Sequence, residues 1–184
     1  EKQVGYSWWR AVTGDYADFW QVTADALDHA LEATGLAGEA GLRGDLLGLY
    51  RRLDAYAEVP GTLARLRAAG RRTAILSNGS PGMLEAATAS AGIGDALDAV
   101  LSVDALRTFK PARAVYDLLG TRFGTAPADV LFVSSNGWDI AAAARYGFRT
   151  AWVNRAGLPR ERLPGTPDHT VPDLAAIPDL AAAP

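Results

Sequence analysis

The stretch Thr73-Ala74-Ile75-Leu76-Ser77-Asn78-Gly79-Ser80-Pro81 decides the fold. A short apolar strand runs into a polar turn, and a proline then stands where a helix tolerates one, in its first turn. That helix is predicted to run to Ala91. The unit then repeats: a strand at 100–103 and a helix at 112–123, a strand at 130–133 and a helix at 138–146, then a strand at 150–153. Upstream, a helix over 62–69 ends at Gly70, a usual C-terminal glycine. Such alternation is the pattern of a parallel sheet wrapped by helices. Further upstream, Tyr16, Phe19, Trp20, Thr23, Leu27, Ala30 and Leu31 recur at helical spacing, as do Leu42, Leu46, Leu49 and Leu53, while Tyr6, Trp9 and Ala11 mark the end of an earlier helix. Residues 1–57 are therefore predicted all-helical and 58–184 α/β, with Thr170-Val171 a marginal edge strand.

Composition narrows the function. The 184 residues fit one compact domain, or a core with a small accessory domain. With 49% apolar residues, 21% charged and a net charge of −3, the chain is neither disordered nor a strongly basic nucleic-acid binder. The absence of cysteine excludes disulfides, Cys-ligated zinc and a thiol nucleophile. No apolar run approaches the ~20 residues of a membrane span, and residues 1–4 carry no signal-peptide block, so a soluble, cytoplasmic protein is expected. Arginine supplies nearly all the basic residues, and the two lysines are Lys2 and Lys110, which makes a well-placed lysine informative. His29 and His169 read as a surface helix residue and a tail residue.

In open α/β sheets ligands bind beyond the carboxyl ends of the strands. Three groups stand there. Ser77-Asn78-Gly79-Ser80 offers a hydroxyl, an amide and helix-start N–H groups to an anion such as a carboxylate, or is a plain turn with Ser80 as N-cap. In Phe109-Lys110-Pro111, with Tyr116 six residues on, the lysine is held extended and can reach into the crevice, or is a solvated surface residue. In Ser134-Ser135-Asn136-Gly137-Trp138-Asp139, the aspartate in the first helical turn is kept ionised by the helix dipole, or merely stabilises the helix.

Taken in order, these three groups resemble the second, third and fourth motifs of the haloacid dehalogenase superfamily, most closely its L-2-haloacid dehalogenase (type II) branch. Tyr6-Ser7-Trp8-Trp9-Arg10 and residues 16–27 resemble that branch's helical cap, and 168–174 its tail. The resemblance implies a Rossmann-like parallel-sheet core (58–184) carrying an inserted helical cap (1–57). Most of the superfamily are Mg²⁺-dependent phosphatases, whose fourth motif supplies aspartate ligands. Here that turn presents Ser134, Asn136 and Trp138, with Asp139 its only carboxylate, a poor magnesium site. Carbon–halogen displacement wants a bare carboxylate held by cations and hydroxyls, so the residue types favour dehalogenation without metal or cofactor.

The mechanism the resemblance implies has an aspartate attack C2 of a 2-haloalkanoate, after which water activated by Asp139 hydrolyses the ester to a 2-hydroxy acid. Lys110 and Ser134 hold the carboxylates. Ser77 and Asn78 bind the substrate carboxylate and help receive halide, Asn136 and Tyr116 complete the polar rim, and Phe19 and Trp138 wall the C2 substituent, with cap-to-core packing the alternative for both aromatics. The family's nucleophile follows a first core strand in an Asp-x-x-Gly-Thr motif ahead of the cap, and no such strand end precedes the cap here; the halide-receiving arginine is also missing. Asp15 and Asp18, read as lying in a helical pattern, do not replace it. In the family that strand lies mid-sheet, so its removal would leave two open edges, and about 40 preceding residues are expected. The chain as given is expected to be inactive without them. A Mg²⁺-dependent phosphatase of the same fold, and a non-catalytic binding or dimerisation remnant, are the competing readings. A homodimer acting on a small 2-haloalkanoate, with neither nucleic acid nor membrane as partner, completes what the resemblance implies.

Overall fold

The computed structural model describes residues 1–182. Three helices come first: α1 (Lys2–Thr13), α2 (Phe19–Ala33) and α3 (Leu42–Leu49). Then α4 (Val59–Ala68) leads to β1 (Ala74–Ser77), α5 (Pro81–Ser90), β2 (Ala99–Ser102), α6 (Arg113–Phe123), β3 (Leu131–Ser134), α7 (Gly137–Tyr146), β4 (Arg149–Val153), β5 (His169–Val171) and α8 (Ile177–Ala182). The alternation is the one predicted, within a residue or two for most elements, and α8 is additional.

Where boundaries move, a local cause is visible. Helix α2 starts at Phe19 and not at Tyr16, because Asp18 takes the N-cap and its carboxylate accepts from Gln21 N at 2.9 Å. Asp15 and Asp18 therefore lie in the connection between α1 and α2, outside any helix, which corrects their expected placement. Helix α3 stops short of Leu53; Leu49 and Leu53 are 53% and 45% exposed, so the stripe has no packing partner that would reward a longer helix. His29 packs its ring edge-on to Tyr6, and His169 is no tail residue: it sits in β5 opposite Ala151.

The five strands form two sheets, β1-β2 and β3-β4-β5, rather than one continuous sheet. In the second, β3, β4 and β5 run parallel, with Val133 opposite Ala151 and Trp152 opposite Thr170. Among the described residues β1 is paired with β2 alone and β3 with β4 alone.

The chain packs as two units. One comprises 1–55, 75–95 and 99–115, with Val22, Val103, Phe109 and Val115 fully buried at its centre. The other comprises, among the described residues, 56–74, 96–98 and 116–182, centred on Leu66, Ala151, Val153, Val171 and Ile177. Burying each such valine, leucine or isoleucine contributes about 1.5–3 kcal/mol. No helix among the described residues is long and apolar enough to cross a membrane.

In the second unit two loop contacts hold α7. Gly165, at φ +104°, lies against the backbone of Ala141 so closely that a Cβ would overlap the Ala141 carbonyl oxygen, and a Cβ on Gly137 would stand 2.8 Å from Glu161 Cγ. Asp168, three residues beyond Gly165, accepts from Thr150 N (2.7 Å) and Thr150 Oγ1 (2.9 Å) and anchors the loop to β4. Gly165→Ala is expected to destabilise the protein by about 2 kcal/mol or more, because steric overlap and a left-handed backbone act together. Urea unfolding of the variant beside the wild type measures it, and equal midpoints would reject the close approach.

Candidate active site

The candidate residues fall into one group in each unit. In the first, β1 ends at Ser77 and the chain turns sharply into α5. Ser77 Oγ accepts from Gly79 N at 3.0 Å, and a Cβ on Gly79 would press on Leu84 Cδ2 at 2.9 Å. Ser80 occupies the N-cap of α5 but makes no side-chain cap bond. Asn78 Oδ1 accepts from the backbone N–H of Lys110 at 2.9 Å. That bond uses the amide oxygen of Asn78 to brace the lysine backbone.

Lys110 is only 6% exposed, which overturns the solvated-surface alternative. An ammonium is rarely taken out of water unless opposite charge or acceptors receive it. The Lys110-Pro111 peptide is cis. Phe109 beside it is fully buried and packs against Phe19, with ring centroids 5.9 Å apart. Phe19 is thus a half-buried member of the core of this unit, as its packing alternative anticipated.

Ser102 belongs with this group although it was not among the predicted residues. Its hydroxyl donates to Gly79 O at 2.6 Å and accepts from Asp104 N at 3.1 Å, tying the two strand-end turns together. The signal was present: Ser102 ends β2 as Ser77 ends β1 and Ser134 ends β3.

In the second unit Asp139 is 3% exposed. Tyr116 donates to its Oδ1 at 2.9 Å and Ser134 Oγ to its Oδ2 at 3.3 Å, while Asn136 N donates back to Ser134 Oγ at 3.1 Å. Both carboxylate oxygens are received by hydroxyls, which offsets the desolvation of a buried charge. Asp139 does more than stabilise a helix start. The turn itself is braced by Trp152, whose indole N–H donates to Ser135 O at 3.1 Å. A tryptophan in the middle of a strand carries no sequence signal of that role.

Asn136 is the N-cap of α7 and is exposed, so its amide is open to a ligand. Trp138 is half-buried in the first turn. Tyr116 was expected at a polar rim and is instead 1% exposed, enclosed by the rings of Phe132 (5.8 Å), Tyr146 (5.5 Å) and Phe148 (5.9 Å). Its packing partners lie on β3, on α7 and just beyond it, so the ring is held in the core and only the hydroxyl has a polar role. Burial, and then the charge of Asp139 and the bond to it, push the Tyr116 hydroxyl pKa well above that of an ordinary phenol, which keeps it a donor.

A pH effect follows. Below pH 10.0, the ordinary tyrosine value, Tyr116 is protonated folded and unfolded. Above it the unfolded chain releases the proton first, so the contribution of Tyr116 to stability falls with rising pH by about 1.4 kcal/mol per unit. Tyr116→Phe is expected to remove that slope. Chemical unfolding at pH values from about 9 to 11 measures it, and parallel wild-type and variant curves would refute it.

The sequence also spells Asp117-Leu118-Leu119-Gly120-Thr121, which has the Asp-x-x-Gly-Thr form. It lies inside α6, and Asp117 accepts from the Tyr146 hydroxyl at 2.6 Å, so it is not a strand-end nucleophile.

The first unit thus carries a serine, an asparagine and a buried lysine, and the second an aspartate held by two hydroxyls. The family model of haloacid dehalogenase-like hydrolases matches residues 2–147, and the chain belongs to that family. It is 43% identical over 180 residues to (S)-2-haloacid dehalogenase 1 of Pseudomonas sp. (strain CBS-3), covering 98% of this chain and 79% of that protein. To the (S)-2-haloacid dehalogenase of Xanthobacter autotrophicus it is 42% identical over 203 residues, covering 98% and 79%. Among solved structures, the L-2-haloacid dehalogenase from Xanthobacter autotrophicus with chloropropionic acid covalently bound matches with a TM-score of 0.88 and 41% identity, covering 97% of this chain and 82% of that one. The fold is accordingly the α/β fold of haloacid dehalogenases.

Proposed function

We propose that the protein is a hydrolytic dehalogenase converting short (S)-2-haloalkanoates to 2-hydroxy acids. The observation that carries this reading is Asp139: a single buried carboxylate in its turn, with each oxygen held by a hydroxyl, suits a base that takes a proton from water. The relatives, among them a structure with chloropropionic acid covalently bound, supply the substrate class.

In the first step an aspartate carboxylate oxygen forms a bond to C2 and the halide leaves with the bonding pair, inverting the carbon. This nucleophile is the family's strand-end aspartate, which none of the strand ends described above provides. In the second, Asp139 takes a proton from water as the water oxygen adds to the ester carbonyl carbon. The tetrahedral intermediate then expels the 2-hydroxy acid, which is reprotonated, and the aspartate returns. The net change consumes one water and yields one halide and one proton.

Lys110 holds reacting carboxylates by charge, Ser77 and Asn78 bind the substrate carboxylate and help receive the halide, and Asn136 completes the polar rim. Ser134 and Tyr116 orient Asp139, while Phe19 and Trp138 wall the C2 substituent. Residues 1–57 act as cap and 58–184 as core, in a cytoplasmic homodimer, and the chemistry uses neither metal nor cofactor. The test is chloride release from L-2-chloropropionate by the natural gene product with a chelator present. Release under those conditions is expected; none, or release only with added Mg²⁺, would overturn the reading.

A further inference from the structure

We propose that Tyr16 is a positioning residue for Lys110: through its hydroxyl on Asp104 and its ring on Phe109 it fixes the path of residues 103–110 and so the place of the ammonium. The meaning of Lys110 rests on the dehalogenase reading; the clamp itself does not. Tyr16 lies in the connection before α2, yet its hydroxyl donates to Asp104 Oδ1 at 2.5 Å, across 88 residues of chain. Its ring stacks on Phe109 with centroids 5.4 Å apart and an interplanar angle of 27°. Phe109, fully buried, is thus held between Tyr16 and Phe19.

The segment so held is bent. After β2, Val103 N donates to Ser77 O (3.1 Å), Leu106 N to Val103 O (2.9 Å) and Arg107 N to Asp104 O (3.1 Å). Arg107 then adopts φ +50°, a left-handed conformation that side-chain-bearing residues seldom take without support. The support is Tyr16: the Arg107 guanidinium lies 4.9 Å from the centre of its ring. Downstream, Asn78 holds the Lys110 backbone N–H. Lys110 is therefore braced from both directions, by Asn78 on its own amide and by Tyr16 on the residue before it.

A phenylalanine would pack on Phe109 equally well, so simple packing does not account for a hydroxyl aimed at a carboxylate. The bond is charge-assisted, the strong kind. The experiment compares Tyr16→Phe, Asp104→Ala, their double variant and Asp104→Asn in the natural gene product. The readouts are kcat and KM for chloride release and hydrogen exchange at the amides of 103–110, below the unfolding temperature of each variant. Tyr16→Phe and Asp104→Ala are each expected to lower kcat about tenfold with KM changed less than about twofold, and the double variant to be no worse than either single one. Asp104→Asn, which still accepts from the hydroxyl, is expected to return kcat to within about threefold of wild type, and Tyr16→Phe to exchange the Lys110 amide at least about fivefold faster. Unchanged kcat with unchanged exchange, or additive losses, would overturn the proposal. If the wild type releases no chloride, the dehalogenase reading fails, and exchange at Lys110 alone decides the clamp. If Tyr16→Phe does not fold, Asp104→Ala against Asp104→Asn decides it.

Discussion

Asp139→Asn in the natural gene product is expected to lower the turnover number for chloride release by about 10²–10⁴, the usual range for removing a general base. The substitution is nearly isosteric. An asparagine oxygen at the Oδ1 place still accepts from the Tyr116 hydroxyl, so the turn keeps its shape while the proton acceptor is lost. The two steps should then separate. In the proposed mechanism, displacement of halide from C2 does not use Asp139, whereas hydrolysis of the ester does. The variant is expected to release about one equivalent of chloride per active site and then stop, with the ester retained on the protein. Mass spectrometry of the intact variant after incubation with L-2-chloropropionate reads the added 1-carboxyethyl group. Steady turnover at the wild-type rate, or no chloride at all with a folded variant, would remove Asp139 from the hydrolytic step.

Lys110→Met carries the second large effect. The methionine keeps much of the volume and apolar stem but removes the cation, and with it the charge proposed to hold the carboxylates in the first step. Losses of about 10²–10³ in kcat/KM are expected, as for other single electrostatic contacts in water-poor sites. Lys110→Arg is expected to rescue little. The residue is 6% exposed and its backbone is pinned by Asn78, so a larger planar guanidinium cannot be accommodated by moving the chain. Here the first chloride equivalent should itself be slowed, in contrast to Asp139→Asn, and a rapid first equivalent would show that Lys110 does not serve the displacement.

These two residues show how differently a site can be legible. Lys110 and Asp139 could be picked out because both stand just beyond apolar strands, where an α/β sheet presents its ligands, and because lysine is rare in this chain. Ser102 satisfies the same rule but carries no distinguishing signal, since a lone serine after a strand looks like any turn residue. Trp152 and Tyr16 obey no such rule. The first braces Ser135 from the middle of β4 and the second reaches Asp104 from a helix connection, and only folding brings those partners within reach.

Local order of elements, the strand-end polar groups and the family were all readable along the chain, because hydrophobic period, turn residues and motif spacing are short-range properties. The hydroxyls on Asp139, the burial of Lys110 and the enclosure of Tyr116 by three rings were not. Each depends on contacts between residues far apart in sequence, and burial in particular is a property of what surrounds a side chain, which no local pattern encodes.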